Sequence, residues 1–67
     1  MVQEFKDGPY GLDLKFKSED RAIRFTNIVY IAVSETHLRF DTADGDVNFV
    51  CNGSIDSFGF YKQRGRL

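Results

Sequence analysis

The chain has 67 residues, nine basic and ten acidic, for a net charge of −1, with 42% hydrophobic and 15% aromatic residues and no Trp. That length allows a single domain over 1–67, burying only roughly 60% of the surface its unfolded chain exposes. The near-neutral balance excludes a general polyanion binder and an acidic nucleic-acid mimic alike, and a lone cysteine, Cys51, excludes an internal disulfide.

Period-2 alternation dominates from the start. "VQEFK" alternates weakly, "DGPYG" supplies turn residues, and "GLDLKFK" sets Leu12, Leu14 and Phe16 against Asp13, Lys15 and Lys17. Residues 2–17 therefore read as a hairpin. "SEDRA" is a polar break, read as one helical turn opened by Ser18. In "AIRFTNIVYIAVS", Ile23 and Phe25 alternate with Arg24 and Thr26 before a continuous apolar run from Ile28 to Val33. Such a run predicts a strand covered on both sides, and the change of phase near Asn27 predicts a bulge or sharp bend.

After the turn "SETH", "LRFDT" places Leu38 and Phe40 inward and Arg39 and Asp41 outward. Asp44-Gly45 is a hairpin signal, because glycine accepts the positive φ that tight turns require. "VNFVC" then carries Val47, Phe49 and Cys51 on its apolar phase, which predicts a buried, inert thiol. Asn52-Gly53 is a second hairpin signal. In "SIDSFGFYK", Ile55 is out of phase with Phe58 and Phe60, so the last strand either starts near Ser57 or carries a bulge. The expected fold is all-β: a small antiparallel meander of five or six strands curled into a barrel or two-layer sandwich, with the last few residues as a basic tail.

Candidate chemistry is sparse. Asp41, Asp44 and Asp46 lack the spacing of a calcium loop and read as a charged hairpin tip. His37 sits beside Glu35 at a turn, with no nucleophile motif around Ser34, Thr36 or Ser54. "NGS" at 52–54 has the form of a glycosylation acceptor but reads as a turn, and "DGPYG" lacks the spacing of a phosphate loop. No cofactor, metal or catalytic residue is expected, and the chain reads as non-enzymatic.

"SFGFYKQRGR" sets aromatics against cations, as a single-strand nucleic-acid binder does. "SFGFY" resembles part of the "KGFGFI" motif of cold-shock domains, and "DVNFVCNGSI" is similar to their "DVFVHFSAI". The resemblance implies a five-stranded barrel whose aromatics stack on bases. It covers about a quarter of the chain. Here the two motifs come in the opposite order, Ser57 replaces the lysine of the first and Cys51 the histidine of the second. The favoured reading of Phe58 and Phe60 is therefore core, with Tyr61 partly exposed.

Protein binding is the leading expectation, in the manner of small regulatory or inhibitory proteins of phages and mobile elements. Its candidate anchors are Tyr10, Tyr30 and Tyr61, since aromatics dominate interface hot spots. An unpaired edge strand would allow a homodimer or strand addition by a partner. The alternatives are a weak single-stranded DNA or RNA binder using Tyr61, Lys62, Arg64, Arg66, Lys15 and Lys17, and a structural subunit of a homo-oligomer. The N-terminus has no basic-then-apolar export pattern and no window approaches a membrane span, so the expected location is cytoplasmic.

Overall fold

A computed structural model of the chain describes residues 1–63. The strands are β1 (Gln3–Phe5), β2 (Tyr10–Phe16), β3 (Ile23–Val33), β4 (His37–Thr42), β5 (Val47–Cys51) and β6 (Ile55–Lys62), with one 3-10 turn at Asn52–Ser54. The protein is all-β, every pairing is antiparallel, and the sheet runs β5-β4-β3-β2-β6 with β1 added to β3. No helix among the described residues is long and apolar enough to cross a membrane.

This order forces curvature. β5 and β6 are opposite edges of the sheet, yet only the Asn52–Ser54 turn joins them. Laid flat, five strands would separate their outer members by about 19 Å, whereas the extended chain from Cys51 to Ile55 reaches at most about 14 Å. The sheet therefore curls until its edges approach, without closing. The turn is pinned to both ends it must bridge: Asn52 donates its backbone N–H to Thr36 O and its side-chain amide to Ser34 O, while Lys17 N–H donates to Ser54 O, each at 2.9 Å. Asn52-Gly53 is thus a corner, not the expected hairpin, because the partner of β6 is β2.

The concave side holds the core. Leu12, Leu14, Ile28, Ile31 and Leu38 are fully buried and Phe40 nearly so. Leu12, Leu14, Leu38 and Phe40 are on the inward phase that alternation assigned them. Phe60 packs on Phe5 and Tyr10, with ring centroids at 4.8 and 5.7 Å. Phe58 has the same inward phase but is 39% exposed, since edge strand β6 leaves it at the rim.

Residues 2–17 do not form a hairpin. β1 and β2 run in the same direction along one edge of β3, Phe5 opposite Ile31 and Tyr10 opposite Ile28, so residues 6–9 loop out over Val29 and Tyr30. Both Phe5 and Tyr10 must reach Phe60, and collinear strands achieve this where a hairpin would not. Gly8 makes the loop feasible, since a Cβ there would lie 2.5 Å from Ile28 O. "SEDRA" is a turn and bend, not a helical turn, opened by Glu19 N–H donating to Phe16 O.

Two of the three register shifts fall where the phase changes in the sequence. Asn27 has φ 58°, and three steps of β3 from Phe25 to Ile28 face two of β2 from Leu12 to Tyr10. Ile55 and Ser57 likewise span a single step of β2, from Phe16 to Lys15. The run Ile28–Val33, however, is not covered on both sides: Val29 is 43% exposed and Tyr30 only half-buried. Among the described residues no second layer lies over the convex face of the curled sheet.

Candidate functional site

The convex face over β1, β3, β4 and β5 carries the most distinctive surface. Its composition follows from the β4–β5 register. Gly45, at φ 100°, closes the turn, and Thr42 N–H donates to Asp46 O at 2.9 Å. Leu38 then faces Val50 and Phe40 faces Asn48, while His37, Arg39 and Asp41 face Cys51, Phe49 and Val47 on the other side. Because Leu38 and Phe40 occupy the core, Val47, Phe49 and Cys51 are turned outward. The expected burial of this apolar phase is overturned, and Cys51 is an exposed free thiol.

Phe49 is 65% exposed but not isolated. The Arg39 guanidinium lies 5.0 Å from the ring centroid of Tyr30 and 5.5 Å from that of Phe49. It is held there by a fork of two bonds to Asp41, 2.9 Å from Nε and 2.8 Å from the second nitrogen. That carboxylate raises the pKa of Arg39 further above its ordinary value. Tyr30 donates its hydroxyl to Glu4 Oε2, which raises the tyrosine pKa. The same bond, together with Lys6 at 3.6 Å, lowers the pKa of Glu4. Tyr30, Arg39 and Phe49, with Val2, Ala32, Ser34 and His37, line an open groove of about 380 Å³. It can grip an apolar or aromatic group beside a fixed guanidinium face, with hydrogen-bonding groups at its rim.

His37 is exposed, its Nδ1 2.9 Å from Thr36 Oγ1. Among the described residues no three His, Cys, Asp or Glu side chains gather as metal ligands. Asp44 accepts from Thr42 Oγ1 at 2.6 Å, which lowers its pKa and fits the charged hairpin tip.

The three tyrosines have three different fates. Tyr30 stands in the groove. Tyr10 is 5% exposed and donates to Asp7, so it belongs to the core and cannot be an interface anchor as expected; its inward phase, opposite Ile28 and edge-on to the Phe60 ring, decides this. Tyr61 is 43% exposed at the other end of the convex face, its ring laid over Gly11, where a Cβ would come within 2.3 Å of Tyr61 Cζ.

The cations expected beside Tyr61 are divided. Lys15 pairs with Asp56 at 3.0 Å and Lys62 with Asp7 at 3.2 Å, while nearby Arg24 pairs with Asp13 at 2.8 Å. Lys17 is exposed at the turn after β2, and Arg64 and Arg66 lie outside the described residues. Arg39 and Phe49 were missed as site residues by reading single strands. Counting the register outward from Gly45 would have found them, since it sets the partners of Leu38 and Phe40. No protein-family model, curated protein or solved structure matches the chain.

Proposed function

We propose that the chain is a non-enzymatic protein-binding module whose contact surface is the convex groove around Tyr30, Arg39 and Phe49. One observation carries the reading: a large apolar ring, mostly exposed, is held in place by a guanidinium that is itself fixed by Asp41. A preoriented aromatic and an arginine side by side are the residue types that dominate interface hot spots, and their order in the free protein lowers the entropy cost of binding. The curled sheet also leaves three edges without strand partners among the described residues, those of β1, β5 and β6, where a strand of another chain can add. A free exposed thiol at Cys51 suits a reducing compartment, and the cytoplasm is part of the same reading.

Single-strand nucleic-acid binding has less support. Two of its lysines already face carboxylates, and negative partners compete with phosphate.

The test is capture of partners from source cells by wild type and variants. A partner retained by wild type and by Tyr61→Ala, but released by Phe49→Asp and Tyr30→Ala, is expected. A partner lost with Tyr61→Ala and indifferent to Phe49→Asp would overturn the reading.

A further inference from the structure

The edge of β5 differs from that of β6 in a way that selects its partner. Natural edge strands are blunted by charges, prolines or bulges. β6 carries Asp56, Lys62 and a bulge between Ile55 and Ser57, whereas Val47–Cys51 reads VNFVC and pairs without a bulge.

The ladder identifies which backbone groups lie open. Antiparallel pairing alternates between residues that exchange hydrogen bonds and residues that do not. Thr42 N–H bonds Asp46 O and Asn52 N–H bonds Thr36 O, so the bonded phase on β5 is that of Asp46, Asn48, Val50 and Asn52. Val47, Phe49 and Cys51 therefore direct their N–H and C=O groups away from β4, toward the open edge. Their side chains are the ones exposed on the convex face.

We infer that β5 pairs antiparallel with β5 of a second copy of the chain, across a two-fold axis at Phe49. This rests on the reading of the chain as a protein-binding module and names one partner. In that register Phe49 faces Phe49 of the other copy and Val47 faces its Cys51. Every edge-directed N–H and C=O of Val47, Phe49 and Cys51 then finds a partner within the strand. A register centred on Asn48 or Val50 leaves one end of the strand facing a turn. No like charges meet, because Asp46 falls opposite Asn52 and Asp44 opposite Ser54. The outer side chains form one apolar stripe across the axis, bounded on each side by Arg39. A chain with so few fully buried residues gains from the added burial.

The register predicts a cross-link. Residues opposite each other in a bonded pair have Cα atoms about 5.5 Å apart, within disulfide reach, whereas the two Cys51 residues of such a dimer lie about 13 Å apart along the strands. Val47→Cys therefore places a thiol against Cys51 of the second copy, and diamide, the added oxidant, takes up the two hydrogens as the S–S bond forms. The expected result is a covalent dimer of Val47→Cys on a non-reducing gel, its absence from wild type and from Val47→Cys/Cys51→Ser, and light scattering of wild type at twice 7.7 kDa. Phe49→Lys, on an exposed position, returns the mass to the monomer with an unchanged circular dichroism spectrum.

A 7.7 kDa mass across the concentration series, with Val47→Cys cross-linking no more than wild type, overturns the inference. So does a dimer in which Val47→Cys/Cys51→Ser cross-links equally well. Either result leaves the groove reading to its own test, because Tyr30→Ala does not touch the edge.

Discussion

The guanidinium of Arg39 lies between the rings of Tyr30 and Phe49, 5.0 and 5.5 Å from their centroids, while Asp41 holds it by two bonds. The flat ion is thus a spacer that fixes the angle of an exposed ring. Arg39→Lys keeps the charge but loses both the fork and the stacking plane. The expected outcome is an unchanged fold with a freer Phe49, seen as narrower, averaged aromatic NMR signals and a weaker near-ultraviolet dichroism. Unchanged spectra would mean that Phe49 is ordered by something else.

Core and surface apolar side chains should separate sharply in stability. Ile31→Ala removes a fully buried side chain from the centre of β3 and should cost about 2–5 kcal/mol, enough to unfold much of so small a domain. In the monomer, Phe49→Ala should change stability by less than about 1 kcal/mol because its ring is mostly in water already. Urea denaturation at concentrations low enough to keep the chain monomeric measures both, and a large loss for Phe49→Ala there would show that the groove is structural.

Asn27 is the hinge of β3. Its φ of 58° is accessible to Asn and Gly but crowds the Cβ of a branched residue. Asn27→Gly should be close to neutral and Asn27→Val should lower stability by about 1–2 kcal/mol, read as a drop in melting temperature.

Acid should weaken the fold through several exposed carboxylates at once. Asp7 is lowered by its bond from Tyr10 and then by Lys62, Asp13 by Arg24, Glu4 by Tyr30 and then Lys6, and Asp44 by Thr42. Each is more acidic folded than unfolded, so its contribution is present above the ordinary carboxylate range, about 4, and is lost as pH falls through the folded value. Melting temperature should be level near neutrality and fall from about pH 4 downward, and Asp13→Asn should flatten part of that fall. The alkaline limb has the opposite sign. Tyr10 and Tyr30 are raised by Asp7 and Glu4, so their contribution is present below about pH 10 and is lost as pH rises through the folded values.

Labelled single-stranded DNA and RNA should show no saturable anisotropy change at low salt, because Lys15 and Lys62 face Asp56 and Asp7. Micromolar binding that weakens steeply with salt and is lost in Tyr61→Ala would revive the stacking surface.

By itself the sequence determined the class of the fold and the alternation of side chains within each regular strand. Leu12 and Leu14 or Leu38 and Phe40 are inward because period-2 alternation is a property of the backbone alone. The bulges at Asn27 and before Ser57 were legible as breaks in that period. Tertiary structure decided what depends on which strands meet. Val47, Phe49 and Cys51 form an apolar phase, yet they face out, because Leu38 and Phe40 fix the register across the hairpin and only one side of β4 can line the core. Tyr10 and Tyr30 are the same residue type, and the sequence offered both as interface anchors. One is buried against Phe60 and the other stands beside Arg39, because β1 and β2 lie end to end along β3. Alternation relates a residue to its own neighbours, whereas burial depends on the strand across the ladder and on which face of the curled sheet is concave.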